Sequence, residues 1–147
     1  EHFGGKTIYS LAANWNKTEV DNFTPGIITP IRIKKLEESL PSTKGYFSIN
    51  HQRKVFHANL RVNYYGSFFE DHLDDGGLPI DGDSAVTMDA EIGWKFASGL
   101  FVNVGAQNLF DKDPPLVLSS ATAPFAFDSQ NANAFGRIIS VSLSKQW

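Results

Sequence analysis

The segment that decides the fold is FHANLRVNYYGSF, Phe56 to Phe68, in which two kinds of residue alternate at every step. The even positions are apolar or small, and they are Phe56, Ala58, Leu60, Val62, Tyr64, Gly66 and Phe68. The odd positions carry polar groups, and they are His57, Asn59, Arg61, Asn63, Tyr65 and Ser67. A period of two places each set on one face of a β-strand. The segment is therefore predicted to be a strand with one apolar and one polar face.

The same alternation recurs along the chain and predicts six strands, around residues 6–17, 44–52, 54–68, 84–96, 98–110 and 136–147. Several of them span about a dozen residues, against a usual strand length of about 5–6. Short turns at 51–54 and 97–99 alternate with long connections at 18–43, 69–83 and 111–135, which are rich in Pro, Gly and Asp. This alternation of short and long connections predicts an all-β fold of antiparallel hairpins, with the long connections at one end.

Composition limits the class of protein. The 147 residues carry a net charge of −3 and contain no cysteine, so neither a nucleic-acid partner nor a disulfide framework is expected. No run approaches the ~18 apolar residues of a spanning helix, whereas a spanning β-strand needs only ~9–11 residues. The chain begins EHFGG, without Met or an apolar leader, which predicts a processed chain or a fragment.

Two architectures fit this pattern, and an antiparallel transmembrane β-barrel is favoured over a soluble β-sandwich binding module. The strands are long, their polar faces suit a wet lumen, and aromatic residues occur at strand ends on the apolar face, as in interfacial girdles. Six strands cannot close a useful barrel. Prolines in 26–40 and 114–128 argue against further central strands there. A small stand-alone barrel with a structural or adhesion role therefore remains the lesser alternative.

The end of the chain resembles a known family. GAQNLFDKDPP (105–115) covers the end of the fifth predicted strand and the residues after it, and FGRIISVSLSKQW closes the chain. Together they resemble the C-terminal end of TonB-dependent outer-membrane receptors. The matching residues are Gly105, Asn108, Leu109, Phe110, Asp111, Lys112, Pro114, Pro115, Gly136, Arg137 and Trp147. LEESLPSTKGYFSINH (36–51) and NYYGSF (63–68) are similar to earlier strands of the same family.

The resemblance implies that residues 1–147 are the C-terminal portion of a barrel, namely the last six strands of about 22, with the plug domain absent from this chain. It implies active transport across the bacterial outer membrane of a siderophore, cobalamin, a metal chelate or an oligosaccharide. The implied partners are outer-membrane lipid and lipopolysaccharide, the barrel-assembly machinery through the last strand, TonB through the missing plug, and the extracellular solute. No cofactor is implied.

The polar faces supply the candidate site residues, which are expected to face the lumen: Arg61, Asp89, Glu91, Asn103 and Gln107. Arg61, Asp89 and Glu91 lie on neighbouring predicted strands, and they are the best candidates for ion pairs with a plug. The alternative interpretation is that a wet interior simply prefers polar groups.

Neither a metal site nor a catalytic site is predicted. The acidic loop 69–84 lacks the spacing of an EF-hand, and His51, His57 and His72 share no ligand spacing. The chain has no nucleophile elbow, phosphate-binding glycine loop or His-Glu-x-x-His sequence. An enzyme is therefore not expected.

Overall fold

The structure is a computed structural model that describes residues 4–71, 79–113 and 135–146. Eight strands and one helix follow each other along the chain. They are β1 (Lys6–Trp15), α1 (Pro30–Glu38), β2 (Thr43–Arg53), β3 (Phe56–Tyr65), β4 (Phe68–Asp71), β5 (Pro79–Gly82), β6 (Ala85–Lys95), β7 (Leu100–Gln107) and β8 (Ile138–Lys145). Six of the strands form one sheet in the order β1-β2-β3-β6-β7-β8, and β4 pairs with β5 in a second, small sheet.

Every pairing in the six-stranded sheet is antiparallel, so the predicted all-β, antiparallel class is confirmed. All six predicted strands are present. Two tight turns at 54–55 and 96–99 lie at one end of the sheet, here called the turn end, where Lys54 and Gly99 adopt positive φ. The strand ends joined by the longer connections 16–42, 66–84 and 108–137 all lie at the opposite end, here called the loop end.

Two predicted boundaries were wrong. The strand expected to reach Phe68 ends at Tyr65, and the chain then enters β4. Phe68 was expected in an aromatic girdle on the apolar face, but it is buried, and its ring fills the space beside Gly82 of β5. Gly82 permits this contact because a Cβ atom there would lie 2.3 Å from the Phe68 ring. The connection 69–83 therefore contains part of a hairpin and is not wholly irregular.

The connection 18–43 contains α1, which the alternation could not reveal. Thr29 is its N-cap and accepts a hydrogen bond from the backbone N–H of Arg32 at 3.3 Å. Pro30 occupies the first turn, where a missing N–H costs nothing. Pro30, which argued against a strand in this connection, is thus the first residue of a helix.

α1 and the β4–β5 hairpin are joined by charged contacts at the loop end. Lys35 Nζ lies 2.9 Å from Glu70 Oε1 and donates to the Asp71 carbonyl at 2.8 Å. Lys34 Nζ lies 2.7 Å from Asp81 Oδ1 and 4.2 Å from the centre of the Phe69 ring. α1 and the β4–β5 hairpin are therefore held against each other at the loop end.

The two faces of the six-stranded sheet differ sharply. One lateral row of the apolar face crosses all six strands: Tyr9, Ile49, Leu60, Ala90, Ala106 and Ile139. This face is uncovered in the described part of the chain, where Leu11 is 80% and Leu143 is 67% exposed. The buried hydrophobic residues, Phe68, Phe69 and Ala85, lie at the loop end. Among the described residues, therefore, no hydrophobic core forms on the apolar face of the sheet.

Candidate functional site

The polar face carries a cavity at its loop end, between β3, β6 and the segment that follows β7. Its volume is about 300 Å³. All but one of its lining residues carry an amide, hydroxyl or charged group, and the lining residues are Arg61, Asn63, Tyr65, Ala85, Thr87, Asp89, Gln107, Asn108, Lys112 and Asp113. Three of the five predicted lumen-facing residues, Arg61, Asp89 and Gln107, thus lie together around one polar space.

Asp89 organises this cavity, because both of its carboxylate oxygens accept hydrogen bonds from neighbouring elements. Asn63 Nδ2 donates to Oδ2 at 2.8 Å, and the backbone N–H of Asn108 donates to Oδ1 at 2.9 Å. Asn63 and Asn108 are 8% and 7% exposed, so these bonds satisfy buried donors. Asp89 therefore connects β3 and the end of β7 to β6.

Arg61 lies directly opposite Asp89 in the register of β3 and β6. Its guanidinium carbon stacks over the ring of Tyr46 on β2, 3.9 Å from the ring centre. This contact holds the planar cation against the wall of the sheet while its edges remain exposed to the cavity. The cavity thus presents a positioned positive charge beside a carboxylate that is already hydrogen-bonded.

Glu91 and Asn103 lie nearer the turn end and form a second group with His57. His57 Nε2 is 3.1 Å from Glu91 Oε1, and the His57 ring stacks on Phe101 with 5.5 Å between ring centres. Asn103 on β7 lies opposite Gly93, two residues along β6 from Glu91. Its own Oδ1 is buried, and in the described part of the chain no hydrogen-bond donor reaches it. The imidazole lies over Gly93, where a Cβ atom would come within 2.0 Å of His57 Cε1.

The family-motif residues form a compact turn where β7 ends. Asn108 and Asp111 both adopt positive φ, 50° and 55°. The Asn108 side chain accepts from the Lys112 N–H at 2.9 Å and donates to the Lys112 carbonyl at 2.8 Å. The Leu109 N–H donates to the Met88 carbonyl at 2.7 Å. Phe110 lies in the same turn and is 72% exposed.

The same turn also holds the start of β8. Asp111 Oδ1 accepts from the backbone N–H of Arg137 at 2.7 Å, and the Arg137 guanidinium reaches the Leu109 carbonyl at 3.5 Å. Gly136, at φ 65°, leaves room for this carboxylate, since a Cβ atom there would lie 2.9 Å from Asp111 Oδ1. Two parts of the chain that are 26 residues apart are thus brought together. Pro114, Pro115, Trp147 and most of the acidic loop, 72–78, lie outside the described residues.

Sequence reasoning missed the partners that position the candidate residues. Asn63, Tyr46 and His57 lie on the polar face with Asp89, Arg61 and Glu91, and the alternation did assign that face. Their specific pairing depends on strand register, which no short sequence motif carries. Lys112 was named among the residues that carry the resemblance, and it contributes backbone groups alone to the Asn108 contacts.

The described residues contain no group of three or more His, Cys, Asp or Glu side chains that would bind a metal ion. Within the same ranges, no helix has the length and hydropathy needed to cross a membrane.

Comparison of the chain with protein-family models, with curated proteins and with solved structures gave no match.

Proposed function

We propose that this chain is a wall segment of an outer-membrane active-transport receptor of the TonB-dependent kind. Its six-stranded sheet is the C-terminal part of a larger, about 22-stranded transmembrane barrel. The receptor binds a scarce extracellular solute (a siderophore, cobalamin, a metal chelate or an oligosaccharide) and imports it with TonB-coupled energy. One observation carries the proposal: an apolar face crosses all six strands, and no described residue covers it.

An uncovered apolar face of this extent suits lipid better than water. Soluble monomers rarely expose contiguous apolar patches of more than a few hundred Å². The middle rows of this face are mainly aliphatic on β3, β6, β7 and β8, whereas Tyr9 and Phe47 lie in those rows on β1 and β2. Phe56 and Trp94 lie toward the turn end, and Tyr64 and Trp15 lie toward the loop end. Aliphatic residues between two aromatic bands are the pattern of a lipid-facing barrel wall.

The dimensions of the face also support this environment. Phe56 and Tyr64 lie eight residues apart on β3, which is about 27 Å at ~3.4 Å per residue. A strand tilt of ~40° reduces this span to about 21 Å along the membrane normal, close to the ~25 Å apolar band of outer-membrane barrels. The strands have 8 to 11 residues, against ~9–11 for a spanning β-strand.

The polar face and the sheet edges support the same proposal. A face lined by Arg61, Asp89 and Gln107 around an open cavity is the expected lining of a water-filled lumen. β1 and β8 each pair on one side within the described sheet, so a row of backbone groups is left on the other side of each. Such edges cannot remain open in lipid, and further strands of a closed barrel would satisfy them.

The first experiment asks where the protein resides. Cell fractionation and detergent extraction should recover it from outer membranes, and its migration on an unheated gel should differ from that of the heated sample. Recovery as a detergent-independent soluble monomer would contradict the proposal and favour the β-sandwich binding module.

The second experiment asks what the protein does. Cells with and without the gene are compared for uptake of radiolabelled ferric siderophores, cobalamin and oligosaccharides, before and after the proton-motive force is dissipated. Gene-dependent uptake that stops on dissipation is expected for one of these solutes. A heat-modifiable membrane protein without energy-dependent uptake would instead favour the stand-alone structural barrel.

A further inference from the structure

The alternation of apolar and polar residues does not by itself fix the register of the last strand. β8 reads Ile-Ile-Ser-Val-Ser-Leu-Ser-Lys, with serine at every second position, and β7 presents Val102, Val104 and Ala106 on the matching face. A slip of one residue would turn the apolar side chains of β8 to the polar face, which is costly. A slip of two residues, however, preserves the matching of both faces.

Register in a hairpin is commonly fixed by a tight turn. β7 ends at Gln107 and β8 begins at Ile138, so 30 residues separate them, and these two strands are not joined by a hairpin turn of two to five residues. Arg137 contacts Asp111 and Leu109 where β7 ends and β8 begins. A tight turn at this place would otherwise fix the register.

We propose that Asn108, Leu109, Asp111, Gly136 and Arg137 form a register latch that replaces the missing hairpin turn and fixes the alignment of β8 on β7. The latch is anchored on the β6 side by the Asn108 N–H to Asp89 and the Leu109 N–H to the Met88 carbonyl, at 2.9 and 2.7 Å. The Asn108 side chain closes the turn around Lys112, which aims the Asp111 carboxylate at the Arg137 N–H. A two-residue slip would remove Arg137 from that carboxylate.

The latch acts on folding and does not depend on the transport proposal. A soluble sheet with the same strands would need the same alignment.

Because the chain contains no cysteine, paired cysteine substitutions can report the register without a background signal. Val104 lies opposite Val141, so V104C/V141C reports the native register. V104C/I139C and V104C/L143C report slips of two residues in either direction. In the native register these two pairs are diagonal neighbours, ~7–8 Å apart, beyond the usual disulfide span of ~4.4–6.8 Å. The pair L60C/A90C, on β3 and β6, reports sheet formation elsewhere.

The three reporter pairs are combined with Asp111→Ala, Asp111→Asn and Asn108→Gly, and oxidation yields are measured on the full chain, with and without detergent. Lys112→Ala is the matched control, because Lys112 lies in the same turn and contributes backbone groups alone to the Asn108 contacts. Asn108→Gly retains the positive φ but loses the side-chain bonds.

In the unaltered latch and in Lys112→Ala, V104C/V141C should form almost exclusively. In Asp111→Ala and Asn108→Gly, the slipped pairs should rise roughly tenfold relative to the native pair, as expected when one or two hydrogen bonds are lost, and Asp111→Asn should show a smaller rise. L60C/A90C should form equally in all variants. The latch is rejected if the native pair alone forms in Asp111→Ala and Asn108→Gly, or if both variants lose L60C/A90C as completely as V104C/V141C.

Discussion

Arg61 and Asp89 lie directly opposite each other on β3 and β6, yet the Arg61 guanidinium stacks on the Tyr46 ring at 3.9 Å. The Asp89 carboxylate meanwhile accepts hydrogen bonds from Asn63 and from the Asn108 backbone. Two opposite charges at one register position are thus engaged with different neighbours. The two residues should therefore contribute to stability separately.

This arrangement predicts unequal costs for removing the two charges. Asp89→Ala should lower the free energy of unfolding by about 2–3 kcal/mol, because the buried Asn108 N–H loses its acceptor and Asn63 Nδ2 keeps only the longer bond to Thr87 Oγ1 at 3.3 Å. Arg61→Ala should cost no more than about 1 kcal/mol, the value of an exposed cation–π contact. Urea unfolding in detergent micelles, followed by tryptophan fluorescence, measures both.

The double variant tests the independence of the two residues. Its cost should equal the sum of the single costs within ~0.5 kcal/mol. Asp113→Ala, at the rim of the same cavity, is the control for a change of charge and should leave stability unaltered. A coupling above ~1.5 kcal/mol between Arg61 and Asp89 would show instead that the pair acts as a salt bridge.

The sequence predicted the strands and their faces because alternation is a local property. Within Phe56 to Tyr65, the order of the residues alone indicates which side chains share a face. The same holds for β6, β7 and β8. The lumen-facing candidates Arg61, Asp89 and Gln107 therefore do lie on one face around one cavity. Nothing beyond the period of two was needed to place them there.

The parts that sequence did not predict depend on contacts between distant segments. α1 is a short helix whose N-terminal Pro30 is also a strand breaker, so a single local feature supported two interpretations. β4 and β5 have four residues each, too few to show alternation. The role of Asp111 depends on the hydrogen bond that it accepts from the Arg137 N–H, 26 residues further along the chain. No local sequence pattern encodes this contact.

The contact between α1 and the β4–β5 hairpin predicts a local effect of Lys35. Lys35→Met removes the ammonium group that lies 2.9 Å from Glu70, a residue only 8% exposed. The buried carboxylate then lacks this partner, and α1 should detach from the hairpin more often. Limited proteolysis within 16–42 should accelerate at least about tenfold, since removing one member of a mostly buried pair costs more than ~1.4 kcal/mol.

Lys17→Met is the matched control for this measurement. Lys17 pairs with Glu19 on the surface, where the hydrogen bond that its ammonium group donates to the Glu19 carboxylate raises the pKa of Lys17. Exposed pairs of this kind contribute little to stability. Its cleavage rate should therefore match that of the unaltered protein. Equal rates for Lys35→Met and Lys17→Met would mean that the charged contact does not hold α1 in place.

Gly93 predicts a steric test of the group around Glu91. In Gly93→Ala the added methyl group would lie 2.0 Å from His57 Cε1 and 2.8 Å from the Phe101 ring, so the imidazole must leave its position. Both the His57–Glu91 contact and the stacking on Phe101 are then lost, at a cost of about 1–3 kcal/mol. Unfolding in urea measures the cost.

Gly105→Ala is the control on the neighbouring strand, because its closest contact would be the rotatable Ser140 hydroxyl at 3.0 Å. This change should cost less than ~1 kcal/mol. If both glycine variants unfold at the same urea concentration, the packing of His57 over Gly93 contributes nothing to stability.

The proposed lipid contact predicts a dependence on depth along the apolar face. Leu60 lies in the row that crosses the middle of the sheet, Tyr64 lies toward the loop end, and Asn59 lies on the polar face. Leu60→Arg should destabilise the membrane-inserted protein by about 2–4 kcal/mol, because it places a charge near the middle of the bilayer. Tyr64→Arg should cost less, since its charge reaches the headgroups, and Asn59→Arg should be tolerated. Unfolding of the protein reconstituted in phospholipid vesicles measures all three. If the face is exposed to water, Leu60→Arg should cost as little stability as Asn59→Arg. If the face is a dry protein core, Tyr64→Arg should cost as much stability as Leu60→Arg. Either result would contradict lipid contact.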